Sequence, residues 1–393
     1  MPAGLWLFAA FLLHVPPVPA YDQEDARSAL SHFQYASSLA QQGKAQEAEQ
    51  EYLLGLKIAP RSPEAYNNLG ALYFGSQKLA QAVDAFKQAH LLKPQDSDIS
   101  FNLGLALFES GNVSGAVPYL TEGTSSVGHS TDAHYLLGAC AFELKQWRRA
   151  IEQLELAQAQ RPDRPDILFL LVSSYREAKE PRKSLEAAAE LLQRYPNSPL
   201  THLMLGEAHE STYDYRQAEE EFKRSIALSP TAPRLHFTLG LLYWKSKRYQ
   251  EAVQPLQEEL RLFPACAACY FYVADIALKY EKPLEAVNGF QEAIRLNPSY
   301  GEAVLGMGRA YVKLGRFEEA IGFFRQAIQL LPGQAEPHYS LGKALIQVGQ
   351  KEEGQRELRE FQEINLKKRQ EGIELISHAA PQADTAQPSA RSH

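Results

Sequence analysis

The sequence predicts an all-α protein built from one pair of helices that repeats along the chain. Three observations carry this prediction: a period of 34 residues, small residues at two fixed positions in each period, and a proline near its end. The segments NNLG, FNLG and YLLG, which end at Gly70, Gly104 and Gly138, set the register. Without any insertion or deletion, the register defines ten repeats, which start at residues 29, 63, 97, 131, 165, 199, 233, 267, 301 and 335.

The first helix of each repeat is predicted from positions 4, 7, 8 and 11, counting the first residue of a repeat as position 1. These positions are three or four residues apart, so they share one face of a helix. A glycine at position 8 lets a second helix approach closely. Seven repeats have this glycine: Gly70, Gly104, Gly138, Gly206, Gly240, Gly308 and Gly342.

The second helix is predicted from positions 20, 24 and 27, which also share one face. Position 20 is alanine in eight repeats: Ala48, Ala82, Ala116, Ala150, Ala218, Ala252, Ala286 and Ala320. Position 24 is usually large and apolar, as in Tyr52, Phe86, Phe222, Phe290 and Phe324. Position 32 is proline in eight repeats, and a proline there ends the second helix.

This period and these residues resemble the tetratricopeptide repeat (TPR) family. The resemblance covers residues 29–368 and implies an α-solenoid, a right-handed superhelix of about ten helix-turn-helix repeats with a concave groove. Each repeat of such an array contacts mainly its neighbours, so the resemblance implies one elongated solenoid.

Three repeats depart from the pattern. Repeat 3 has Gly128 at the proline position, which predicts a looser exit turn. Repeat 5 has Val172 and Ser184 at the two small-residue positions, which predicts a local change of superhelical pitch. Repeat 10 has Gly354 and Leu366 at the alanine and proline positions, which predicts a second helix that continues as a polar-faced cap.

The segments outside the repeats have distinct compositions. Residues 1–20 contain no charged side chain, and their apolar run LWLFAAFLLHV is suited to a signal peptide but short for a membrane span. Residues 21–28 are interpreted as a linker. Residues 369–376 are interpreted as the end of the capping helix, and residues 377–393 as a disordered tail.

The chain is therefore expected to be exported, to a periplasm, the exterior or the lumen of the endoplasmic reticulum. Small residues precede Tyr21 at a plausible cleavage site. The segment before the apolar run has no lysine or arginine, so an uncleaved N-terminal membrane anchor remains the alternative.

Composition and motifs argue against several functions. The formal charge of −7 argues against nucleic-acid binding, which requires clustered positive charge. The repeats leave no room for a catalytic domain, and no catalytic motif is present, so we predict no catalytic residue, no cofactor and no enzyme activity. Five histidines occupy position 4, one in each of five repeats, and are interpreted as packing residues, so no metal site is predicted: His32, His134, His202, His236 and His338.

The three cysteines suggest a core residue and a pair. Cys140 falls at an apolar helix position and is interpreted as part of the core. Cys266 and Cys269 form a C-x-x-C motif, and in an oxidising compartment they could pair in a structural disulfide. The same motif can serve a redox protein, but the βαβ pattern of a thioredoxin-like domain is missing.

Aromatic residues form a second stripe on the first helices, at positions 2, 5, 9 and 12. By resemblance to the family, this stripe lines the concave groove together with position 13. The aromatic groove residues predicted from positions 5 and 12 are Phe74, Phe101, Phe108, Tyr135, Phe142, Phe169, Phe237, Trp244 and Phe271. The alternative is that these rings complete the core, which is as probable as exposure at position 5; at position 12 exposure is favoured.

Charge predicts a polarised groove. Position 2 is acidic in repeats 2–5 and position 13 in repeats 3–5, whereas position 13 is basic in repeats 7–9. The groove is therefore expected to be acidic over repeats 2–6 and basic over repeats 7–10. The residues at position 13 that carry this prediction are Glu109, Glu143, Glu177, Lys245, Lys279 and Lys313. A partner would be an extended polypeptide with basic residues at one end and acidic groups at the other.

The sequence therefore predicts a non-catalytic scaffold or adaptor that binds a protein or peptide in this groove. Three alternatives stay open: a self-assembling structural protein, a binder of glycans or small molecules, and a thiol redox protein that uses Cys266 and Cys269. No nucleic-acid partner is expected, a membrane is expected only if the N-terminal segment is uncleaved, and a homo-oligomer is compatible with the sequence.

Overall fold

The structure is a computed structural model that describes residues 23–379, with side chains described for residues 24–371. The predicted signal peptide, residues 1–20, lies outside the described residues. Within the described part, the chain forms twenty α-helices and no strand. Contacts between the helices divide it into two compact units, with the boundary between Tyr213 and Asp214.

The first unit contains eleven helices. They are α1 (Gln23–Gln41), α2 (Ala45–Ile58), α3 (Pro63–Gly75), α4 (Leu79–Leu92), α5 (Ser97–Glu109), α6 (Val113–Gly123), α7 (Ser130–Glu143), α8 (Trp147–Gln160), α9 (Pro165–Glu177), α10 (Pro181–Arg194) and α11 (Pro199–Ser211). Odd-numbered helices are the first helices of the repeats, and even-numbered helices are the second.

The second unit contains nine helices with the same alternation. They are α12 (Tyr215–Leu228), α13 (Leu235–Lys245), α14 (Tyr249–Leu262), α15 (Ala267–Lys279), α16 (Pro283–Leu296), α17 (Gly301–Lys313), α18 (Phe317–Leu330), α19 (Ala335–Gln347) and α20 (Lys351–Ala379).

The all-α repeat architecture predicted from the sequence is confirmed. Within each unit, the two helices of a repeat pack against each other, and the second helix packs against the first helix of the next repeat. The sequence predicted one continuous array, whereas the contacts define two units whose boundary falls inside the sixth repeat. Because repeats in a solenoid contact only their neighbours, such an array has few contacts across any one boundary.

The predicted linker over residues 21–28 needs correction, because α1 already begins at Gln23. Glu24 and Asp25 lie in its first turn, where negative charge is favourable to the helix dipole. At the other end, α20 runs to Ala379, past the predicted start of the tail at residue 377, and the rest of the tail lies outside the described residues.

A contact between positions 8 and 24 joins the two helices of a repeat. A Cβ atom built on Gly308 would lie 2.4 Å from Cε1 of Phe324, and one on Gly138 would lie 2.6 Å from Cγ of Leu154. Phe324 and Leu154 are completely buried. The glycine is thus required by the close approach of the helices, as the sequence predicted.

Repeat 5 keeps this close approach without the glycine. Ser184 is buried at position 20, and its hydroxyl donates a hydrogen bond of 3.0 Å to the carbonyl oxygen of Val172 at position 8. The polar contact satisfies a hydroxyl that would otherwise be buried without a partner.

Repeat 3, for which the sequence predicted a looser exit turn, has a shorter second helix, a feature that was not predicted. Helix α6 ends at Gly123, whereas the second helices of the neighbouring repeats have 14 residues and α6 has 11. The exit turn is held by Ser126, which donates to Oδ1 of Asp98 at 2.5 Å and accepts from the backbone N–H of His129 at 3.1 Å.

The turn between the two helices of a repeat has a feature that the sequence analysis missed. Position 15 has a positive φ angle, between 55° and 86°, in all ten repeats, although only four of these residues are glycine. In nine repeats the N–H of position 16 donates to the carbonyl of position 11, as Lys78 does to Tyr73 at 2.9 Å. These are the bonds of a Schellman motif, which ends the first helix through a left-handed residue. Because residues other than glycine also adopt this left-handed conformation, the residue types at position 15 do not reveal the turn.

The position-8 contact makes a direct test possible. Gly308→Ala should lower the free energy of unfolding by about 2 kcal/mol, because the added methyl group overlaps the buried ring of Phe324. The matched control is Gly322→Ala in α18, where the new Cβ has no neighbour within 4 Å. The control should stabilise the protein by about 0.5–1 kcal/mol through helix propensity. Urea unfolding followed by circular dichroism measures both, and equal shifts of the two midpoints would contradict the packing argument.

Candidate partner-binding face

The first helices lie side by side within each unit. In the first unit α3 contacts α5, α5 contacts α7, α7 contacts α9 and α9 contacts α11; in the second, α13, α15, α17 and α19 follow the same pattern. We call the surface formed by positions 2, 5, 9, 12 and 13 of these helices the first-helix face. All predicted groove residues belong to it.

The structure changes the prediction for Phe101, which is only 3% exposed. Its ring stacks on the imidazole of His129 with a centroid distance of 4.4 Å. A Cβ atom built on Gly123 would lie 3.0 Å from Cβ of Phe101, so the second helix packs closely against the base of this side chain. Phe101 is therefore part of the core of repeat 3 and is not available to a partner.

The other predicted aromatics of the first unit are half-buried. They are Phe74, Phe108, Tyr135, Phe142 and Phe169. Phe142 contacts Trp147 edge to face, with a centroid distance of 5.2 Å. Among the residues whose side chains are described, no phenylalanine is mostly exposed. The first-helix face thus offers only part of each of these rings to a partner, and Phe74 and Phe108 also pack against the buried core of the first unit.

The acidic residues at position 2 are largely neutralised. Arg164 forms ion pairs with both Asp132 and Asp166, and its guanidinium lies 5.1 Å from the ring centroid of Tyr135. In an earlier repeat, Oε1 of Glu64 lies 3.6 Å from Nζ of Lys93. Position 2 therefore contributes less negative potential than the sequence suggested.

The acidic residues at position 13 keep their charge facing solvent. Glu109 and Glu143 are exposed, and neither forms an ion pair with any side chain in the described part of the chain. Glu177 is exposed and lies 3.5 Å from Arg176, a contact that is weak in water. The first unit therefore has an acidic edge along position 13, next to the half-buried rings.

In the second unit the aromatics form one cluster around Tyr272. Its ring centroid lies 5.9 Å from that of Phe237, 4.9 Å from that of Trp244 and 5.0 Å from that of Phe271. Tyr300 extends the cluster at 5.2 Å from Phe271. Burial, together with the nearby carboxylates Asp275 and Glu302, raises the pKa of Tyr272 above its ordinary value.

A buried carboxylate fixes the indole of this cluster. Nε1 of Trp244 donates to Oδ2 of Asp275 at 2.8 Å, and Nζ of Lys279 lies 3.4 Å from the same oxygen. Asp275 is only 6% exposed. Sequence reasoning missed Asp275, although it stands at position 9 of the stripe, and Tyr272, which stands at position 6 outside it.

Two of the three basic residues predicted at position 13 form ion pairs with carboxylates. Lys279 is bound to Asp275, and Nζ of Lys313 lies 2.7 Å from Oε1 of Glu281. Lys245 is exposed at the end of α13. The positive charge of the second unit is therefore smaller than the sequence suggested.

Cys266 and Cys269 are joined in a disulfide, with Cα atoms 5.3 Å apart. Sγ of Cys266 accepts a hydrogen bond from the backbone N–H of Cys269 at 3.2 Å, so the disulfide also caps the start of α15. Cys140 is free and fully buried, and burial raises the pKa of its thiol to about 12. A thiol with so high a pKa is a poor nucleophile and acts here as a core residue.

The position-4 histidines are each held by a separate partner. His32 lies 2.6 Å from Glu51, His134 2.9 Å from Gln153 and His338 2.7 Å from Glu357, each joining the two helices of its own repeat. Over the residues with described side chains, no group of three or more histidine, cysteine, aspartate or glutamate residues has an arrangement that could hold a metal ion. In the same part of the chain, no helix has the length and apolar character needed to cross a membrane.

Helix pairs that stack within each unit and expose a row of first helices define this chain as a helical-repeat protein. Models of the tetratricopeptide repeat match residues 63–96, 107–173, 166–198, 203–265 and 277–324, and a model described as TPR repeat matches residues 308–349. The chain belongs to the tetratricopeptide repeat family. None of the curated proteins matches the chain.

Several solved structures are similar to parts of this chain at low sequence identity. MamA from Desulfovibrio magneticus RS-1 is 20% identical over 44% of this chain and 97% of its own, with a TM-score of 0.40. Yeast Tom70 is 14% identical over 86% of this chain and 92% of its own, also with a TM-score of 0.40. YrrB, described as a TPR protein with an unusual peptide-binding site, is 20% identical over 46% of this chain and 93% of its own, with a TM-score of 0.40. These likenesses concern the fold alone.

The Trp244–Asp275 contact leads to a prediction for the second unit. Asp275→Ala should destabilise the protein by about 1–2 kcal/mol, because it leaves the half-buried indole N–H without its protein acceptor. Asp275→Asn retains an oxygen acceptor and should cost less. Urea unfolding gives the stability, and the tryptophan emission should shift to longer wavelength only in the alanine variant. Equal losses in the two variants would show that the carboxylate charge matters more than the hydrogen bond.

Proposed function

We propose that this chain is a non-catalytic scaffold that binds an extended polypeptide segment on its first-helix face. One observation carries the proposal: in the first unit, the half-buried rings of Phe74, Phe108 and Phe142 repeat every 34 residues beside the exposed carboxylates of Glu109 and Glu143. Family membership supports the general class of scaffold for protein partners.

The spacing suits an extended partner. Equivalent rings recur once per repeat in repeats 2–4, and repeats 3 and 4 add a carboxylate beside the ring, so an extended segment can contact these groups in succession. Ring edges contribute apolar area, and aromatic residues contribute strongly to binding at interfaces. The unpaired carboxylates favour a partner with lysine or arginine between its apolar residues.

A capture experiment tests this proposal. We expect Phe74→Ala/Phe108→Ala/Phe142→Ala to lose the protein partners that the wild-type chain retains after cross-linking in its native extract. The reason is that the substitutions remove the apolar contacts and leave the acidic edge in place. Captured proteins would be identified by mass spectrometry, with folding of the variant checked by circular dichroism.

The matched control removes the same number of apolar side chains from the second helices. Leu53, Leu91 and Leu156 are 42%, 73% and 47% exposed, and their substitution by alanine should leave the set of partners unchanged. Identical partner sets for the two triple variants and the wild type would contradict binding at the first-helix face. They would assign the three phenylalanines to packing.

We further propose that the chain is exported. The uncharged apolar run in residues 1–20 supports export, and so does the Cys266–Cys269 disulfide, since disulfides persist in oxidising compartments. An uncleaved anchor is the alternative for the same segment.

N-terminal sequencing of the protein from its native source distinguishes the two. Export with cleavage predicts a mature chain that begins at Tyr21 and is recovered without detergent. A chain that retains residues 1–20 and requires detergent for extraction would support the anchor instead.

A further inference from the structure

A shallow, open depression lies where repeats 4 and 5 turn from their first helix to their second. Its volume is about 680 Å³, and it is formed by the start of α8 and by the turn between α9 and α10. Three cations line it, Arg148, Arg149 and Lys179, together with the indole of Trp147 and the carboxylate of Glu177. None of the predicted aromatic groove residues lines it, so this surface differs from the one proposed to bind a polypeptide.

The cations of these two turns are exposed and largely without partners. Five of them form no ion pair with any side chain that the structure describes: Lys145, Arg148, Arg149, Lys179 and Arg182. Arg149 donates a hydrogen bond of 3.0 Å to the amide oxygen of Gln146, which carries no charge. We call these five cations, together with Trp147, the cationic turn surface.

The carboxylates of the same turns offset this charge only in part. Glu177 lies 3.5 Å from Arg176, and Glu180 lies 3.1 Å from Lys183, so each is paired with a cation outside the surface. Glu143 is exposed and offsets one of the five charges. The surface is therefore positive, although the chain as a whole has a formal charge of −7. A positive region on a negative chain directs that region toward an anionic partner.

Apolar groups lie among these cations. Leu144 is 40% exposed. Trp147 is half-buried, because one side of its indole contacts Phe142 with a centroid distance of 5.2 Å, and the rest of the ring reaches solvent. Tryptophan is enriched where an apolar phase meets water, and lysine and arginine are attracted to anionic lipid headgroups. Both features meet in these two turns.

We propose that the cationic turn surface binds the headgroups of an anionic phospholipid membrane, with Trp147 and Leu144 entering the interface between headgroups and acyl chains. The headgroup phosphates accept hydrogen bonds from the arginine and lysine side chains. These cations come from two successive turns and are held by no fixed partner, so they suit several mobile headgroups better than a single anion. The contact does not require residues 1–20 and adds a peripheral membrane contact to the scaffold function.

The test uses residues 21–393, which keep all twenty described helices and lack the apolar run that would itself bind lipid. Binding is measured by co-sedimentation with vesicles made of equal parts of phosphatidylcholine and phosphatidylglycerol, and with vesicles of phosphatidylcholine alone. We expect the affinity to be at least about tenfold higher for the anionic vesicles, and to fall as salt is added.

The surface variant is Lys145→Gln/Arg148→Gln/Lys179→Gln, which removes three unpaired charges from exposed positions. It should weaken binding to the anionic vesicles by about tenfold or more, because each cation near the membrane surface contributes to the attraction. Circular dichroism checks that the variant keeps its helices.

The matched control is Lys57→Gln/Arg61→Gln/Lys87→Gln, which removes the same number of lysines and arginines from the first unit. These residues are also exposed, form no ion pair with a described side chain, and lie outside the two turns. The control should change the affinity by less than about twofold, because salt screens charges that are far from the membrane.

Tryptophan fluorescence reports the apolar part of the contact. The emission should shift to shorter wavelength on anionic vesicles as the indole of Trp147 leaves water. In Trp147→Phe, Trp244 is the only tryptophan left within residues 21–393, so the shift should be lost while most of the binding remains.

The lipid proposal is overturned by no binding to vesicles, by equal binding to the anionic and neutral vesicles, or by equal weakening in the two triple variants. Equally tight binding to soluble dextran sulfate, with no shift of the tryptophan emission, would assign the surface to a soluble polyanion and overturn it as well. The capture experiment is independent of these outcomes, because its three phenylalanines do not belong to the cationic turn surface.

Discussion

The close approach of the two helices in each repeat is the constraint on which the rest of this structure depends. Where position 8 is glycine, it has no room for a Cβ atom because the side chain at position 24 occupies that space, as at Gly308 and Phe324. Once the two helices of a repeat are packed in this way, the contacts of their other faces are determined. The second helix turns toward the next repeat, and the first helix keeps one face that its own partner cannot cover. A binding surface is thus a geometric consequence of how the core of each repeat closes.

The same constraint limits what that surface can offer. The aromatic residues of the first helices are partly covered by the packing of the repeats, as Phe142 is by Trp147 of the second helix. Phe101 is covered completely, by His129 and the second helix of its own repeat, whereas Phe108, seven residues later on the same helix, keeps part of its ring accessible. A partner that binds here gains many small apolar contacts, which suits a segment that extends over several repeats.

The repeat pattern could be predicted from sequence because it depends on local spacing and on residue size. Glycine and alanine recur where two helices are in close contact, and proline recurs where a helix ends. The positions of the helices could therefore be predicted. The left-handed residue at position 15 was missed because Gln77 and Lys145 have positive φ angles there, and these residue types rarely adopt such angles. The sequence left burial of the position-5 rings open and did not single out Phe101, and it did not predict the ion pairs of Arg164. Both depend on which side chain of a neighbouring repeat reaches the same point, and a periodic pattern does not encode that information.

The charged residues show most clearly how the structure differs from the prediction made from sequence. A count of acidic and basic residues predicted two strongly charged surfaces, yet most of those residues have partners: Arg164 neutralises two aspartates, and Asp275 holds Lys279. Surface ion pairs contribute little to stability, but each removes a charge that a ligand could have used. What remains available is a small set, including Glu109 in the first unit and Lys343 in the second. Specificity in such an array therefore depends on the charges that its own neighbours leave unpaired, and these can be found only once every pairing in the fold is known.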